Sequence, residues 1–520
     1  MNTTVQNLES ERIQVQQELD SQKTQAERNK LGQFATPPAL AQAVIEHGLS
    51  LLPANAKIHF LDPAFGSGAF YAALKARVDR TAIAEAAGFE IDPHYGEAAL
   101  RLWKDTGLNL KLADFTKQLP SPRYNLLICN PPYVRHHHMS GQEKLRLQAL
   151  ALKSGRVKLS GLAGLYCYFL TLAHQWMAKE AVAGWLIPSE FMDVNYGSAI
   201  RQYLVENVTL LRIHRFVPTD VQFSDALVSS AVLWFRNSPP PKNHEVEFTL
   251  GGTLAKPVKK MRVSTEALAK EKKWTRFPES CVRITSEAPR LNQLFRIKRG
   301  IATGDNSFFI ISAEEMRQRR LPPQFFRPIL PSPRHLKNEV IDCDDDGNPR
   351  LERKLFLLDS GLDEETIKRD FPNLWIYLEE GRARGLHERY LCSHRSPWYS
   401  QESRPPAPIV CTYIGRSDTK SGKPFRFIRN LSQATVANVY LAMYPTALLD
   451  HALQRNPGLL DRICRILNAI DPGELLGEGR VYGGGLHKLE PKELGNLPIV
   501  DEALIQIVAE NRRLEDLFAA

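Results

Sequence analysis

A chain of 520 residues, 43% apolar and 24% charged, is longer than one ordinary domain and can bury sizeable cores, so two or three domains are expected. Its formal net charge of +9 favours a polyanionic partner over an acidic surface. No apolar run approaches the roughly eighteen residues needed to span a membrane, and the opening MNTTVQNLESERIQ has neither the basic start nor the apolar core of a secretory leader.

In chain order, residues 5–30 are charged and helix-prone, and read as a solvated leading helix, with docking on a neighbouring element as the alternative. From Gly32 to Phe235 strand and helix patterns alternate, as a doubly wound α/β sheet requires. Strands are expected at 58–62, 89–92, 110–113, 126–129, 184–187, 210–216 and 230–235, with helices at 67–78, 95–104, 165–179 and 197–207. The run NSPPPKN at 237–243 has the composition of a linker. The chain therefore divides into a leading helix at 1–30, an α/β domain at 31–240 and a second domain at 245–520. That second domain is irregular, basic and aromatic, expected to be mixed α/β or mostly β, and closes with an amphipathic helix at 501–518. Seven cysteines without a CxxC pair argue for reduced thiols in a cytoplasm and against structural zinc.

FLDPAFGSGAF at 60–70 reads as a strand, a tight glycine loop and a helix start. Gly66 and Gly68 permit close backbone approach, and Ser67 is placed to cap the helix. The spacing is not that of a dinucleotide fingerprint. The second strand ends at Glu90-Ile91-Asp92 and the third at Asp114-Phe115, so carboxylates stand at successive strand ends. Any one of them could be a solvated strand end; three in register point to a nucleoside cofactor, whose hydroxyls and amine a carboxylate can accept from.

YNLLICNPPYV at 124–134 carries the most chemistry. Its apolar run reads as a buried parallel strand, and it stops at Asn130-Pro131-Pro132-Tyr133. Two prolines force an extended exit from the sheet. Asn130 offers a side-chain acceptor, Pro131 a carbonyl and Tyr133 a flat ring, at the carboxyl end of a strand where open α/β sheets bind ligands. Such a site suits a planar group with an exocyclic amine.

Arg135-His136-His137-His138 follows, but adjacent histidines point apart and no partner lies at ligand spacing, so no metal is expected. Cys129 reads as a small core residue ending its strand. In the second half, Lys298 and Arg299 are candidate phosphate contacts, with Thr303, Asp305 and Asn306 near base edges. The basic loops at 331–338, 412–430 and 483–494 suit DNA when taken together. Asp344-Asp345-Asp346-Gly347-Asn348 lacks calcium-loop spacing and reads as a turn.

In order, GQFATPP, FLDPAFGSGAF, GFEIDP, LADF, NPPY and GLYCYFL resemble the gamma group of adenine-specific DNA amino-methyltransferases. The chain is similar to restriction–modification methylases built from a catalytic and a target-recognition domain. The likeness covers about residues 31–235, and NPPYVRHHH is similar to methylases of the PstI type, which hints at a CTGCAG-like palindrome. The resemblance implies a Rossmann-like domain that uses S-adenosyl-L-methionine. Thr36 would then hold the methionine end, with Asp62, Gly66 and Gly68 forming the cofactor loop. Glu90 would bind ribose hydroxyls beside Ile91, Asp114 the adenine amine, Phe115 a backbone contact and Phe169 the adenine face. Asn130, Pro131, Pro132 and Tyr133 would hold a flipped-out target adenine, with Phe223 closing over it.

The resemblance further implies double-stranded DNA as partner, monomeric action, no membrane and a cognate endonuclease encoded separately. Alternatives are N-methylation of RNA or of a protein glutamine, and an inactive DNA-binding specificity subunit.

Overall fold

Alternating apolar side chains let the short strands of the first half bury both faces, and this fixes where the site lies. The computed structural model describes residues 3–217, 222, 229–278, 289–416, 423–482, 486–499 and 501–509. They fall into two compact units, Met1–Cys281 with Val481–Gly484, and Val282–Arg480 with Gly485–Ala520.

The first unit opens with α1 (Thr3–Ser21), α2 (Gln25–Leu31) and α3 (Pro38–Ser50). Next come β1 (Ile58–Asp62), α4 (Ala69–Arg77), β2 (Ile83–Glu90), α5 (Pro93–Leu102), β3 (Leu108–Leu112) and β4 (Tyr124–Cys129). Then follow α6 (Gly141–Gly155), α7 (Leu165–Ala173), β5 (Met177–Pro188), α8 (Ser198–Glu206), β6 (Thr209–Arg215), β7 (Ser230–Arg236), β8 (Glu245–Gly252) and β9 (Pro257–Ser264). The strands form one nine-stranded sheet, ordered β3-β2-β1-β4-β5-β7-β6-β8-β9. β1 to β5 are mutually parallel, while β7 inserts antiparallel between β5 and β6. Along β1, Ile58 and Phe60 enter the core on one face and Leu61 the other; along β4, Leu126 and Ile128 alternate with Leu127 and Cys129 in the same way. Burial on both faces is the mark of a doubly wound parallel sheet. The order in which strands are added reverses between β1 and β4, so the crevice opens at their carboxyl ends.

Three expectations are corrected. The leading helix breaks in two, because Thr24 accepts from Glu27 N and starts α2 with a capping box. The helix expected to 179 ends at Ala173, and MAKEAVAG belongs to β5. Alanine-rich composition favours a helix there, but pairing with β4 and β7 overrides it. The proline-rich run at 237–243 joins two strands of one sheet, so the first unit runs to 281 and not to 240. Parallel pairing of β6 with β8 is what carries the sheet across that run.

The second unit is mixed α/β. Its five-stranded sheet runs Phe295–Arg299, Tyr440–Pro445, Ile409–Thr412, Phe427–Asn430, Val340–Ile341, and three separate apolar clusters build its core. Residues 344–348 close a turn in which Gly347 N donates to Asp344 O over 3.0 Å. The expected base-edge group is committed internally: Thr303 Oγ1 donates to Asn306 Oδ1 (2.7 Å), and Asp305 caps a short helix while pairing with Arg389. Arg299 stacks 4.3 Å from the Tyr413 ring centroid, and Lys298 is exposed. Residues 502–509 are helical; the rest of the expected closing helix lies outside the described residues. Among the described residues no helix is long and apolar enough to cross a membrane.

A fragment ending at residue 240 lacks β8 and β9 and so the buried Val246, Phe248 and Leu250, each worth about 1.5–3 kcal/mol on burial. It should show no cooperative melt by circular dichroism, whereas a fragment ending at 278 should retain one.

Candidate active site

The glycine loop leaves β1 at Asp62. Phe65 N donates to Phe89 O (2.8 Å), which pins the loop against the end of β2. Gly66 and Gly68 sit at φ +55° and +92°, where side chains are strained. Their surroundings differ. A Cβ on Gly68 would lie 2.5 Å from Trp103 Nε1, whereas one on Gly66 would meet nothing within 4 Å. Gly68 is thus needed for packing, and Gly66 leaves the loop open to the adjoining cavity. Asp62 lies beneath the loop, 1% exposed, accepting from Ala64 N over 3.1 Å. Ser67 does not cap α4, whose first turn follows Gly68 without a side-chain cap. Instead Ser67 Oγ accepts from Arg12 Nη1 (3.0 Å) and Ser67 O from Trp103 Nε1 (2.8 Å).

At the ends of β2 and β3 the three carboxylates differ in their commitments. Glu90 accepts from Gly66 N and Asp92 N, one bond to each oxygen and both 2.8 Å. Each oxygen keeps a second lone pair for a ligand. Asp92 caps α5 through His94 N and also binds Lys23 and Gln33, so it is a structural hub and not a free acceptor. Asp114 spends Oδ1 on the Thr116 N–H and hydroxyl, at 2.9 and 2.7 Å, while Oδ2 lies 3.6 Å from Lys117 Nζ. Phe115 packs on Phe169, with ring centroids 5.4 Å apart.

These groups surround a cavity of about 580 Å³, within the range of small-molecule sites. Of the expected residues, Gly66, Glu90, Ile91, Asp114, Phe115, Asn130, Pro132 and Phe169 line it. Thr36, Asp62, Gly68, Pro131 and Tyr133 lie outside its lining, and Phe223 lies outside the described residues.

Asn130 is the sharpest feature. Its Nδ2 donates to Phe34 O (3.0 Å) and to Thr36 Oγ1 (3.1 Å). A carbonyl can only accept, so the amide NH2 must face Phe34. Oδ1 is then turned the other way, buried and without a partner. A buried acceptor left unmade costs about 1–3 kcal/mol, so it is poised for a donor. Tyr133 is held from two sides: its hydroxyl donates to Leu186 O (3.0 Å), and its ring lies 5.4 Å from that of Phe34. The following His136–His138 segment forms a short 3-10 turn. Among the described residues no cluster of three or more His, Cys, Asp or Glu side chains could hold a metal ion.

Sequence reasoning missed α1. Gln16, Asp20 and Lys23 line the cavity, and Arg12, 2% exposed, reaches the glycine loop while pairing with Glu9. Asp20 accepts from Tyr95 OH (2.8 Å). The charged residues of this helix look solvated in sequence, but Asp20 lines the cavity and Arg12 reaches the glycine loop, while Lys23 lines it from just beyond the helix.

Residues 98–222 match the family described as Eco57I restriction-modification methylase, and residues 279–519 the Type II methyltransferase M.Eco57I, C-terminal domain. Type II methyltransferase M.AccI of Acinetobacter calcoaceticus is 27% identical over 503 residues, covering 92% of this chain and 87% of that protein. Type II methyltransferase M.XamI of Xanthomonas campestris pv. amaranthicola is 29% identical over 487 residues, covering 90% and 85%. Among solved structures, the Type IIL restriction-modification enzyme MmeI in complex with DNA superposes with a TM-score of 0.50 at 14% identity, covering 79% of this chain and 60% of that one. At that identity the likeness concerns the fold.

Burial raises the Asp62 carboxyl to about 8, and Glu90 shifts upward for the same reason. The folded state therefore holds protons that the unfolded chain releases near pH 4. That stabilisation is complete below about pH 4 and is lost as pH rises through about 8. The protein without added ligand should melt at progressively lower temperature as pH rises across that interval, and Asp62→Asn should flatten the decline. Gly68→Ala should destabilise the fold by more than the roughly 1–2 kcal/mol of left-handed strain, because Trp103 and Phe65 must also move. Gly66→Ala should cost only the strain, with its main effect on ligand affinity measured by calorimetry.

Proposed function

We propose that the chain is a DNA methyltransferase of the type II restriction–modification kind and that it transfers a methyl group from S-adenosyl-L-methionine to adenine N6 at one DNA sequence. The observation that carries this reading is the buried, unpartnered Oδ1 of Asn130 at the wall of a cavity rich in acceptors.

The residues present fit the cofactor. Glu90 has lone pairs left for ribose hydroxyls, Asp114 has an oxygen for an exocyclic amine, and Ile91 and Phe169 present apolar surface between them. Gly66 leaves room for close approach. When bound, S-adenosyl-L-methionine supplies an activated methyl on a sulfonium, so no metal is required. An adenine amine is a poor nucleophile because its lone pair is delocalised into the ring. Asn130 Oδ1 accepts one amine hydrogen and the Pro131 carbonyl the other, which pushes the nitrogen toward tetrahedral geometry and frees the lone pair. In-line positioning and electrostatic stabilisation supply the rest.

A base inside a duplex cannot reach this pocket, so it is extruded, as methyltransferases of bases require. Tyr133, fixed by its hydroxyl, and Phe223 would replace the lost stacking, at roughly 1–3 kcal/mol per base. The second unit would select the DNA site, consistent with the net charge of +9. The reading includes double-stranded DNA as substrate, monomeric action in the cytoplasm, and a cognate endonuclease encoded separately.

Incubation with labelled S-adenosyl-L-methionine and unmethylated genomic DNA, followed by single-molecule mapping, should place N6-methyladenine at one short motif. Label in RNA or protein instead would overturn the DNA assignment. Asn130→Ala should lower methyl transfer by about a thousandfold, as loss of a preorganised polar group does, and leave cofactor affinity nearly unchanged. A variant with near-normal turnover would remove the mechanism.

A further inference from the structure

We infer that Thr36 is a positioning residue for the catalytic amide of Asn130 and not a cofactor ligand, within a strap formed by residues 32–36. This rests on the methyl-transfer reading given above.

The strap is tied to the Asn130–Tyr133 loop by three hydrogen bonds. Gly32 O accepts from Tyr133 N (3.0 Å), Phe34 O from Asn130 Nδ2 (3.0 Å), and Thr36 Oγ1 from the same nitrogen (3.1 Å). Residues 32, 34 and 36 all bond to the loop, Gly32 from the left-handed region at φ +64°. The residue between them faces the other way: Gln33 Nε2 donates to Asp92 Oδ2 (2.7 Å), beside the cavity. A Cβ on Gly32 would fall 2.3 Å from Tyr133 N, so the strap reaches the loop only as glycine at that point.

Hydrogen-bond valence then decides the role of Thr36. Nδ2 has two hydrogens, and the Phe34 carbonyl and Thr36 hydroxyl take one each. The donor half of the amide is saturated, and both lone pairs of Oδ1 are left for a substrate amine. Two anchors are needed because the terminal torsion of asparagine is broad and one bond alone would let the amide swing. Thr36 is 8% exposed and outside the cavity lining, and the hydrogen bond its oxygen accepts comes from Asn130, so the hydroxyl sits against the amide and not at the ligand space.

The two roles for Thr36 predict opposite kinetics. In Thr36→Val, which keeps the shape and removes the acceptor, kcat for DNA methylation should fall about 10- to 100-fold, the scale of misplacing a reacting group by an ångström. The Kd for S-adenosyl-L-methionine, read by calorimetry on the full chain, should hold. Thr36→Ser should recover most of the lost rate. If Val perturbs folding, as judged by its melt, Thr36→Ala gives the same readout with space to spare. A rise in Kd with kcat preserved would overturn the positioning role in favour of a cofactor contact, and an unchanged kcat would overturn it outright. Wild-type protein that binds the cofactor yet labels no DNA would overturn the functional reading, and this inference with it; wild type that labels DNA as well as both variants do would overturn the inference alone.

Discussion

The chemistry of the first unit depends on one topological constraint: β1 has parallel neighbours on both sides, β2 and β4. Successive connections must then leave to opposite faces, and the loops at the carboxyl ends of β1 and β4 are left facing an open crevice. The glycine loop comes from one strand and Asn130 from the other. Neither could reach its place if Phe60 and Leu61 did not pair with Leu126 and Leu127 and bury alternately on the two faces. The buried aliphatic ladder therefore sets a position that the polar residues themselves could not hold.

On that frame the polar groups are arranged by what they have already satisfied. Glu90 has taken two backbone donors, Asp92 has been consumed by a cap and by Lys23 and Gln33, and Asn130 has spent its NH2. What remains unsatisfied is what a ligand meets: spare lone pairs on Glu90 and Asp114, and both on Asn130 Oδ1. A side chain's identity gives the donors and acceptors it owns, and the neighbours decide which ones remain. This is why three carboxylates of similar appearance at strand ends end with different roles.

Much of this was legible in the residues. The strands at 58–62 and 126–129 were visible as short, mainly apolar runs closely followed by proline, because buried parallel strands are rich in apolar residues. Gly66, Glu90, Ile91, Asp114, Phe115, Asn130 and Pro132 line one cavity, as their positions at or just beyond strand ends imply, and Phe169 joins them from α7. Other assignments were not legible. β5 begins in an alanine-rich segment that favours a helix locally, and the proline-rich run at 237–243 resembles a linker although β8 continues the sheet beyond it. Ser67 looked like a cap and is instead held by Arg12 from α1. In each case the deciding partner is remote in sequence, so no local pattern records it.

By itself the sequence determined the alternation of strand and helix, the two glycines that the loop needs, and the residue types able to accept hydrogen bonds at strand ends. These follow from backbone sterics, side-chain valence and hydrophobic periodicity, which act over a few residues. Tertiary structure alone decided that α1 walls the cavity, that Thr36 turns its hydroxyl to Asn130, and that the oxygen of that amide is left buried without a partner. Those outcomes depend on contacts between residues about 55 to 95 positions apart, and only the assembled fold brings such residues within hydrogen-bonding distance.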